Sequence, residues 1–417
     1  MDLVPNFVGD MVRSVGLSAA MRAAGVVTGL LPIPQPTLLV GPGSSRRLGQ
    51  TIAGFGHSRI LIVTDAIVAK LGLLDGLTDA LTQGGAAFVV FDAVTPDAPI
   101  PLIEEGMKFY RAKRCDAIVA FGGGSAMDAA KTIALAVANR KKPRQLVGYF
   151  KGLHEPVPVY AVPTTAGTGS EVTVAAVVSD PKSGKKLVIA DTRLVPRMAA
   201  LDPSLMTGLP SNVTAATGMD ALTHAIEAFI GQWSTAYSDR MALSATGLIY
   251  DNLRTVCRNG KNLAAREQMS LAATYAGFAF TRANVGYVHA IAHQLGGKYH
   301  TPHGLANAIV LPHVLKFLRP AITDKLAALA VRARVGEEGE RPAALAQKFL
   351  DSVEALNRDI GIPAQLDALR EADIPALAKA ACWEADTSYP VPRYMSPEVC
   401  EQLLREILPK PARRRKR

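Results

Sequence analysis

Residues 116–139 read DAIVAFGGGSAMDAAKTIALAVAN, which is a strand, a glycine turn and a helix in immediate succession. The first part is mostly apolar and β-branched, as a strand buried in a parallel sheet should be. The alanine-rich remainder predicts a helix over 125–139. Two earlier strand and helix pairs are predicted at 59–65 with 65–85, and at 86–92 with 96–114. This alternation predicts an α/β fold with a doubly wound parallel sheet.

The pattern changes near LDPSLMTGLP (201–210), beyond which no strand–helix alternation is evident. The chain then predicts long helices at 211–231, 235–256, 264–280, 285–298 and 304–318, with more to about residue 407. We therefore expect an N-terminal extension at 1–33, an α/β domain at 34–209, an all-helical domain at 210–408 and a basic tail at 409–417.

The composition is that of an ordinary soluble globular protein, with 417 residues, 49% of them hydrophobic and 20% charged. Its four cysteines are far apart and form no CxxC pair, so they indicate neither a disulfide framework nor a thiolate metal site. We expect reduced thiols and a cytoplasmic location. The cysteines are Cys115, Cys257, Cys382 and Cys400.

The two ends of the chain permit more than one interpretation. The tail KPARRRKR (410–417) contributes to a net charge of +10 and could attract nucleic acid or membrane, but a solvated terminus is the favoured interpretation.

No apolar run reaches the roughly 18–20 residues of a membrane span. Residues 11–31 have the apolar spacing of a helix; a packed surface helix is favoured over a transit peptide, since Asp2 and Asp10 lie nearby. No nucleic-acid or membrane partner is expected.

A carboxylate and an imidazole lie four residues apart in TGMDALTHAIEAF (217–229). These residues are Asp220 and His224. On a helix this spacing places both side chains on one face, one turn apart.

Further imidazoles follow in GYVHAIAHQLGGKYHTPHG (286–304), which contains His289, His293 and His303. One carboxylate with three imidazoles is a plausible ligand set for a divalent transition metal. Spacing alone offers His293 as readily as His303 for the fourth ligand, because His289 and His293 repeat the interval of four.

Two glycine-rich loops precede these motifs. The first is formed by Gly122, Gly123, Gly124 and Ser125, between a strand and a helix, where backbone N–H groups can hold a phosphate. It lacks the GxGxxG fingerprint. The second, PTTAGTGSE (163–171), adds the hydroxyls of Thr164, Thr165 and Thr168. Two loops at one end of a parallel sheet would line a single ligand crevice, although a pair of structural turns is the alternative.

Asp65 ends the strand RILIVTD (59–65). A carboxylate at a strand end in this type of fold can bind ribose hydroxyls and repel a 2′-phosphate. It lies before the glycines rather than about 20 residues after them, as in the usual fingerprint. Capping the following helix explains Asp65 equally well.

The motifs GGGSAMDAAK, PTTAGTGSE, TGMDALTHAIEA and GYVHAIAHQLGGKYHTPHG together resemble the iron-containing (group III) alcohol dehydrogenase family, from about residue 36 to 405. The resemblance implies a Rossmann-like α/β domain followed by an all-α domain, in a dehydroquinate synthase-like architecture. It implies an NAD-dependent, metal-dependent dehydrogenase that interconverts an alcohol and its aldehyde or ketone by hydride transfer, with the metal as Lewis acid on the substrate oxygen.

The resemblance also implies a role for each histidine in the two later motifs. The metal ligands would be Asp220, His224, His289 and His303. His293 would lie beside the metal and serve in proton transfer or substrate binding. We expect Fe(II), with Zn(II) as the alternative, because nitrogen and oxygen ligands accept both.

The cofactor residues follow from the same resemblance. Gly122, Gly123, Gly124 and Ser125 would hold the pyrophosphate, and Asp65 would lie near the adenosine ribose, which favours NAD over NADP. The other expected cofactor contacts are Asp97 near the nicotinamide, Lys186 at a ribose, and Thr164, Thr165 and Thr168 along the cleft. Asp128 is expected to brace the glycine loop.

Two rival functions share this sequence pattern in part. One is a zinc-dependent polyol dehydrogenase or lyase on the same scaffold, and the other is a non-catalytic binding protein with this fold. The sequence does not identify the alcohol, although Phe280 and Tyr287 are candidate pocket residues. We expect a small-molecule alcohol or aldehyde as substrate and a homodimer or higher oligomer.

Overall fold

The computed structural model describes residues 31–409 together with Gly25. The predicted extension at 1–33 and the basic tail at 409–417 therefore lie almost entirely outside the described residues. The helix expected at 11–31 stays a prediction for the same reason.

All strands of the described chain lie before residue 202. They are β1 (Thr37–Val40), β2 (Ile60–Val63), β3 (Phe88–Phe91), β4 (Ala117–Gly122), β5 (Gly148–Tyr149), β6 (Val159–Pro163), β7 (Ala175–Asp180), β8 (Lys185–Ala190) and β9 (Met198–Leu201). The α-helices between them are α1 (Ser44–Ala53), α2 (Ala66–Lys70), α3 (Asp75–Gln83), α4 (Ile100–Ala112) and α5 (Gly124–Asn139).

The main sheet has six strands in the order β1-β9-β6-β4-β2-β3, and every neighbouring pair is parallel. Side chains on β2 alternate between two cores: Ile60 and Ile62 pack with α1 and α3, whereas Leu61 and Val63 pack with α4 and α5. Helices thus cover both faces, which confirms the predicted doubly wound α/β class.

The parallel order brings three sequence motifs to one edge of the sheet. Strands β6, β4 and β2 are consecutive neighbours, and their carboxyl ends lead into Thr164, Gly123 and Asp65 respectively. Ligands of open α/β sheets bind at this edge.

Two local predictions for this half were wrong. The single helix expected at 65–85 is divided into α2 and α3, because Gly72 adopts a left-handed φ of 69° that ends the first helix. The chain also forms a second, three-stranded sheet in the order β5-β8-β7, with β7 and β8 antiparallel. The sequence prediction omitted this hairpin, which carries Lys186.

The second half is helical in the described residues, as predicted. Its α-helices are α6 (Ser211–Ile230), α7 (Ala236–Arg258), α8 (Leu263–Ala283), α9 (Tyr287–Tyr299), α10 (His303–Arg332), α11 (Pro342–Asp359), α12 (Ile374–Ser388) and α13 (Pro397–Glu406). Helix α10 runs well past the predicted 304–318 and is kinked at Ile322, where φ is −131°. By length and composition alone, this helix is apolar enough to cross a membrane. However, 61% of its apolar segment is buried in the protein, as expected of a core helix.

The two halves meet closely at the loop after β6. Glu171 Oε1 accepts a hydrogen bond of 2.7 Å from Thr274 Oγ1 on α8, and both side chains are buried. A Cβ atom built on Gly169 would lie only 2.7 Å from the Cα of Gly277 on the same helix. Because the two backbones are so close, the loop at 163–171 packs directly against α8 of the helical half.

Candidate metal centre

Four ligand atoms of Asp220, His224, His289 and His303 all lie within 4.8 Å of one another. Asp220 and His224 are one turn apart on α6, whereas His289 lies in the first turn of α9 and His303 begins α10. The first three residues are buried, and the His303 side chain is 29% exposed. Three helices thus direct polar groups to one point that remains open on the side of His303.

The imidazoles of His224 and His289 are held by ring stacking. The His224 ring lies between Phe280, at a centroid distance of 4.2 Å, and His289, at 4.5 Å. The interplanar angles are 17° and 28°, so the three rings form a stack. Phe280 therefore shields one face of His224 from water.

Glu227 orients His289. Its carboxylate accepts backbone N–H bonds from Gly286 at 2.9 Å and Val288 at 2.7 Å, and it lies 2.6 Å from His289 Nδ1. A carboxylate that accepts from these groups requires a proton on Nδ1, which leaves the Nε2 lone pair for a metal. Burial raises the pKa of Glu227, whereas the backbone hydrogen bonds oppose that rise.

Asn307 contacts three of the four ligands. Its Nδ2 atom donates to Asp220 Oδ1 at 2.8 Å and lies 3.2 Å from His303 Nε2 and 3.3 Å from His289 Nε2. Sequence reasoning missed Asn307 and Glu227. Asn307 follows His303 by four residues, which is the interval that identified Asp220 with His224, so the same spacing would have found it.

The chemistry of this group fits a divalent metal. Burial lowers the pKa of His224, His289 and His303, so the imidazoles are neutral and their lone pairs are free to bind a cation. The ligand atoms of the four residues lie within 4.8 Å of one another, so one cation could contact all of them. One carboxylate and three neutral imidazoles suit Fe(II) or Zn(II).

His293 lies beside this group rather than within it. Its ring stacks on His303 with centroids 5.4 Å apart and an interplanar angle of 17°, and it meets His289 edge-on at 6.1 Å. Its Nδ1 atom lies 2.7 Å from Oε1 of Glu384 on α12. The geometry thus groups His303, not His293, with the other three ligand atoms.

The two glycine loops contact each other at the sheet edge. A Cβ built on Gly123 would lie 3.5 Å from Thr165 Oγ1, and one on Gly124 would lie 2.8 Å from Thr168 Cγ2. The Thr164 N–H donates to the Gly122 carbonyl at 3.0 Å. Because α5 begins at Gly124, its first N–H groups face this junction, as a pyrophosphate site requires.

The remaining predicted cofactor residues contact one another or the first glycine loop. Lys186 Nζ pairs with Asp97 Oδ1 at 2.8 Å, and the Asp97 N–H donates to Ser125 Oγ at 3.1 Å. Asp65 caps α2, since its Oδ1 accepts from the backbone N–H groups of residues 67 and 68 at 2.9 and 3.0 Å. Its Oδ2 lies 3.7 Å from a Cβ built on Gly122, so one carboxylate oxygen caps while the other faces the glycine loop.

The loop after β6 also reaches the metal ligands. A Cβ built on Gly167 would lie 2.9 Å from the carbonyl oxygen of Thr217, one turn before Asp220. The Gly167 backbone also opposes the fall in the pKa of His224. The loop at 163–171 therefore packs against both the first glycine loop and the helix that carries Asp220 and His224.

Family models match both halves of the chain. The model for "Iron-containing alcohol dehydrogenase" matches residues 35–203, and the model for "Fe-containing alcohol dehydrogenase family, C-terminal" matches residues 214–408. The two matches divide where the strands end and the long helices begin.

Individual relatives are similar over most of their length. The chain is 35% identical to an NAD-dependent methanol dehydrogenase of Bacillus methanolicus over 375 residues, which are 89% of this chain and 98% of that protein. It is 40% identical to a 1,3-propanediol dehydrogenase of Citrobacter freundii over 346 residues, 82% and 89% of the two chains. A crystal structure of a 1,3-propanediol oxidoreductase matches with a TM-score of 0.88 and 36% identity, covering 91% of this chain and all of that one.

Proposed function

This chain belongs to the iron-containing alcohol dehydrogenase family, and we propose that it interconverts small primary alcohols or short diols and their aldehydes. Within this family it is an NAD-dependent alcohol dehydrogenase that uses a divalent metal. The observation that carries the proposal is the convergence of Asp220, His224, His289 and His303, whose ligand atoms lie within 4.8 Å of one another.

The ligand roles of these four residues are part of the proposal, with Fe(II) as the expected metal. When bound, the metal supplies Lewis acidity that makes the substrate hydroxyl more acidic. Glu227 presents His289 through its Nε2 atom, and Asn307 holds the Asp220 carboxylate. Phe280 excludes water from one face of His224.

The cofactor roles are proposed from the contacts at the sheet edge. Gly122, Gly123, Gly124 and Ser125 would bind the pyrophosphate through backbone N–H groups. Asp65 would bind the adenosine ribose with its uncommitted oxygen, while Asp97 and Lys186 would border the nicotinamide half as an ion pair. Thr164, Thr165 and Thr168 would line the cleft between these positions.

The substrate class is supported by the relatives. Those that are 35% and 40% identical carry names for methanol and 1,3-propanediol oxidation. The Phe280 ring adds an apolar surface beside His224.

A substrate panel tests the proposal. Protein loaded separately with Fe(II) or Zn(II) would be given methanol, 1-propanol and 1,3-propanediol with NAD, and NADH formation would be followed. We expect turnover with at least one of these alcohols and little with hydroxy acids. A preference for a hydroxy acid or a phosphorylated polyol would overturn the substrate class.

The cellular location is proposed from the state of the cysteines. The four cysteines of the chain are free thiols in the structure, which suits a reducing compartment such as the cytoplasm. The homodimer or higher oligomer stays a prediction that sedimentation of the full-length chain would test.

A further inference from the structure

Glu384 lies on α12 in a stretch that contains none of the sequence motifs discussed above. Its carboxylate has hydrogen bonds to three side chains, each at 2.7 Å. Oε1 accepts from the Tyr389 hydroxyl and lies against His293 Nδ1, and Oε2 accepts from the Gln294 amide. The Glu384 side chain is only 22% exposed, so these contacts are well shielded.

The chemistry of these partners determines where the proton of His293 lies. Gln294 Nε2 can only donate, and burial together with the charge of Glu384 raises the pKa of Tyr389, so its hydroxyl keeps its proton. Both neighbours therefore donate to the carboxylate, and Nδ1 of His293 is placed to do the same. In the neutral ring of His293 the hydrogen then lies on Nδ1 and the lone pair on Nε2.

The position of His293 gives this tautomer a use. Its ring stacks on His303 at the open side of the ligand group, and its side chain is 20% exposed. With Nδ1 committed to Glu384, Nε2 is the ring nitrogen left for another partner. In the neutral ring it can accept a hydrogen bond but cannot donate one.

We infer that Glu384 is a positioning residue, which holds His293 in the Nδ1–H tautomer so that Nε2 accepts a hydrogen bond from the substrate hydroxyl. The inference rests on the proposed function only for the identity of that hydroxyl. Tyr389 and Gln294 donate to the same carboxylate but do not contact the Nδ1 hydrogen of His293. Glu384 thereby acts on the hydrogen bond between His293 and the substrate, although its helix α12 carries none of the four ligand residues.

The tautomer can be observed directly, without any activity. Protein with ¹⁵N-labelled histidine would be loaded with Zn(II), which is diamagnetic, and the His293 signals would be assigned by their loss in His293→Asn. We expect Nδ1 to be protonated in the unaltered protein and the tautomer to become mixed in Glu384→Ala. Tyr389→Phe is the matched control, since it removes a different donor from the same oxygen and should leave Nδ1 protonated. A proton on Nε2 in the unaltered protein would overturn the inference.

Kinetics test the consequence for the substrate. In Glu384→Ala, kcat/KM for the alcohol should fall about tenfold to hundredfold, the usual worth of a hydrogen bond to a charged group, while KM for NAD and metal content stay unchanged. In a His293→Asn background the same change should have no further effect, because the interaction is already absent. Additive losses in the double variant would show that Glu384 acts elsewhere. Inactivity of the unaltered enzyme toward every alcohol would contradict the proposed function and leave the tautomer measurement valid.

Discussion

At the scale of single residues, a pair of substitutions can separate the helix cap formed by Asp65 from its proposed contact with the cofactor. Its Oδ1 caps α2, and its Oδ2 faces the glycine loop. Asp65→Ser keeps a capping oxygen but removes the charge, whereas Asp65→Ala removes both and should cost about 1 kcal/mol in the free energy of unfolding.

Both variants should raise the ratio of kcat/KM for NADP to that for NAD, because the charge that repels a 2′-phosphate is gone. Only the alanine variant should be less stable in denaturant titration. If the cofactor ratio stays unchanged in both, Asp65 is a helix cap and nothing more.

Glu227 provides a second prediction at this scale. Glu227→Gln places an amide against three N–H groups, so at least one contact to His289 or the backbone is lost. We expect the metal dissociation constant to rise about tenfold to hundredfold, measured by competition with a chelator at fixed pH.

A matched control exists at the surface. His313 Nδ1 also lies 2.6 Å from a glutamate, Glu406, but neither residue belongs to the ligand group and this carboxylate is 59% exposed. Glu406→Gln should leave metal affinity unchanged. Equal metal affinity in Glu227→Gln and the unaltered protein would rule out an orienting role for Glu227.

Sequence reasoning reached the metal ligands more readily than the residues that hold them. Asp220 and His224 were recognisable from residue type and spacing, and the family resemblance chose His303 over His293. Glu227 and Glu384 gave no such signal, because a lone glutamate in a helix is usually solvated. Their roles depend on tertiary contacts that no local pattern encodes.

At the scale of elements, the ligand group depends on a close crossing of α10 over α6. A Cβ built on Gly304 would overlap the carbonyl oxygen of Ala216 and lie 3.2 Å from the Asp220 Cβ. Gly304→Ala should therefore push the start of α10 away from α6, separate His303 from Asp220 and destabilise the fold by about 1–3 kcal/mol.

Metal content after purification and the free energy of unfolding are the measurements for this variant. Gly208→Ala is the control, since a Cβ there would meet no atom within 4 Å. Retention of full metal content in Gly304→Ala would show that the crossing does not set the ligand geometry.

Some secondary-structure elements could not be predicted from residue patterns. Strands β2, β3 and β4 were expected from apolar runs, and the parallel sheet was predicted from their alternation with helices. The division of residues 65–85 was missed because a single glycine at position 72, in the left-handed region, outweighed a long helical pattern. The hairpin of β7 and β8 was missed because AAVVSD and KKLVIA each contain an apolar run of only four residues.

At the scale of the whole molecule, the metal would join helices that are separate along the chain. Ligands from α6, α9 and α10 meet at one point, so binding should stabilise the helical half against unfolding. Metal at a thousandfold excess over its dissociation constant contributes about 4 kcal/mol. We expect a chelator to lower the melting temperature measured by calorimetry.

His224→Ala controls this experiment, because a protein that has lost the site should melt at the same temperature with and without chelator. A chelator effect that persists in His224→Ala would place the stabilising metal elsewhere. Both proteins should keep the sheet half folded, since its core is formed by β2, β4, β6 and their own helices.

The central claim is that alcohol oxidation requires a metal bound by Asp220, His224, His289 and His303. The most direct test is the rate of NADH formation from 1,3-propanediol by one preparation before metal removal, after removal, and after anaerobic addition of Fe(II). The account predicts that turnover disappears with the metal and returns with Fe(II), and that Fe(II) restores nothing in His224→Ala. Full turnover by the metal-free protein would contradict it.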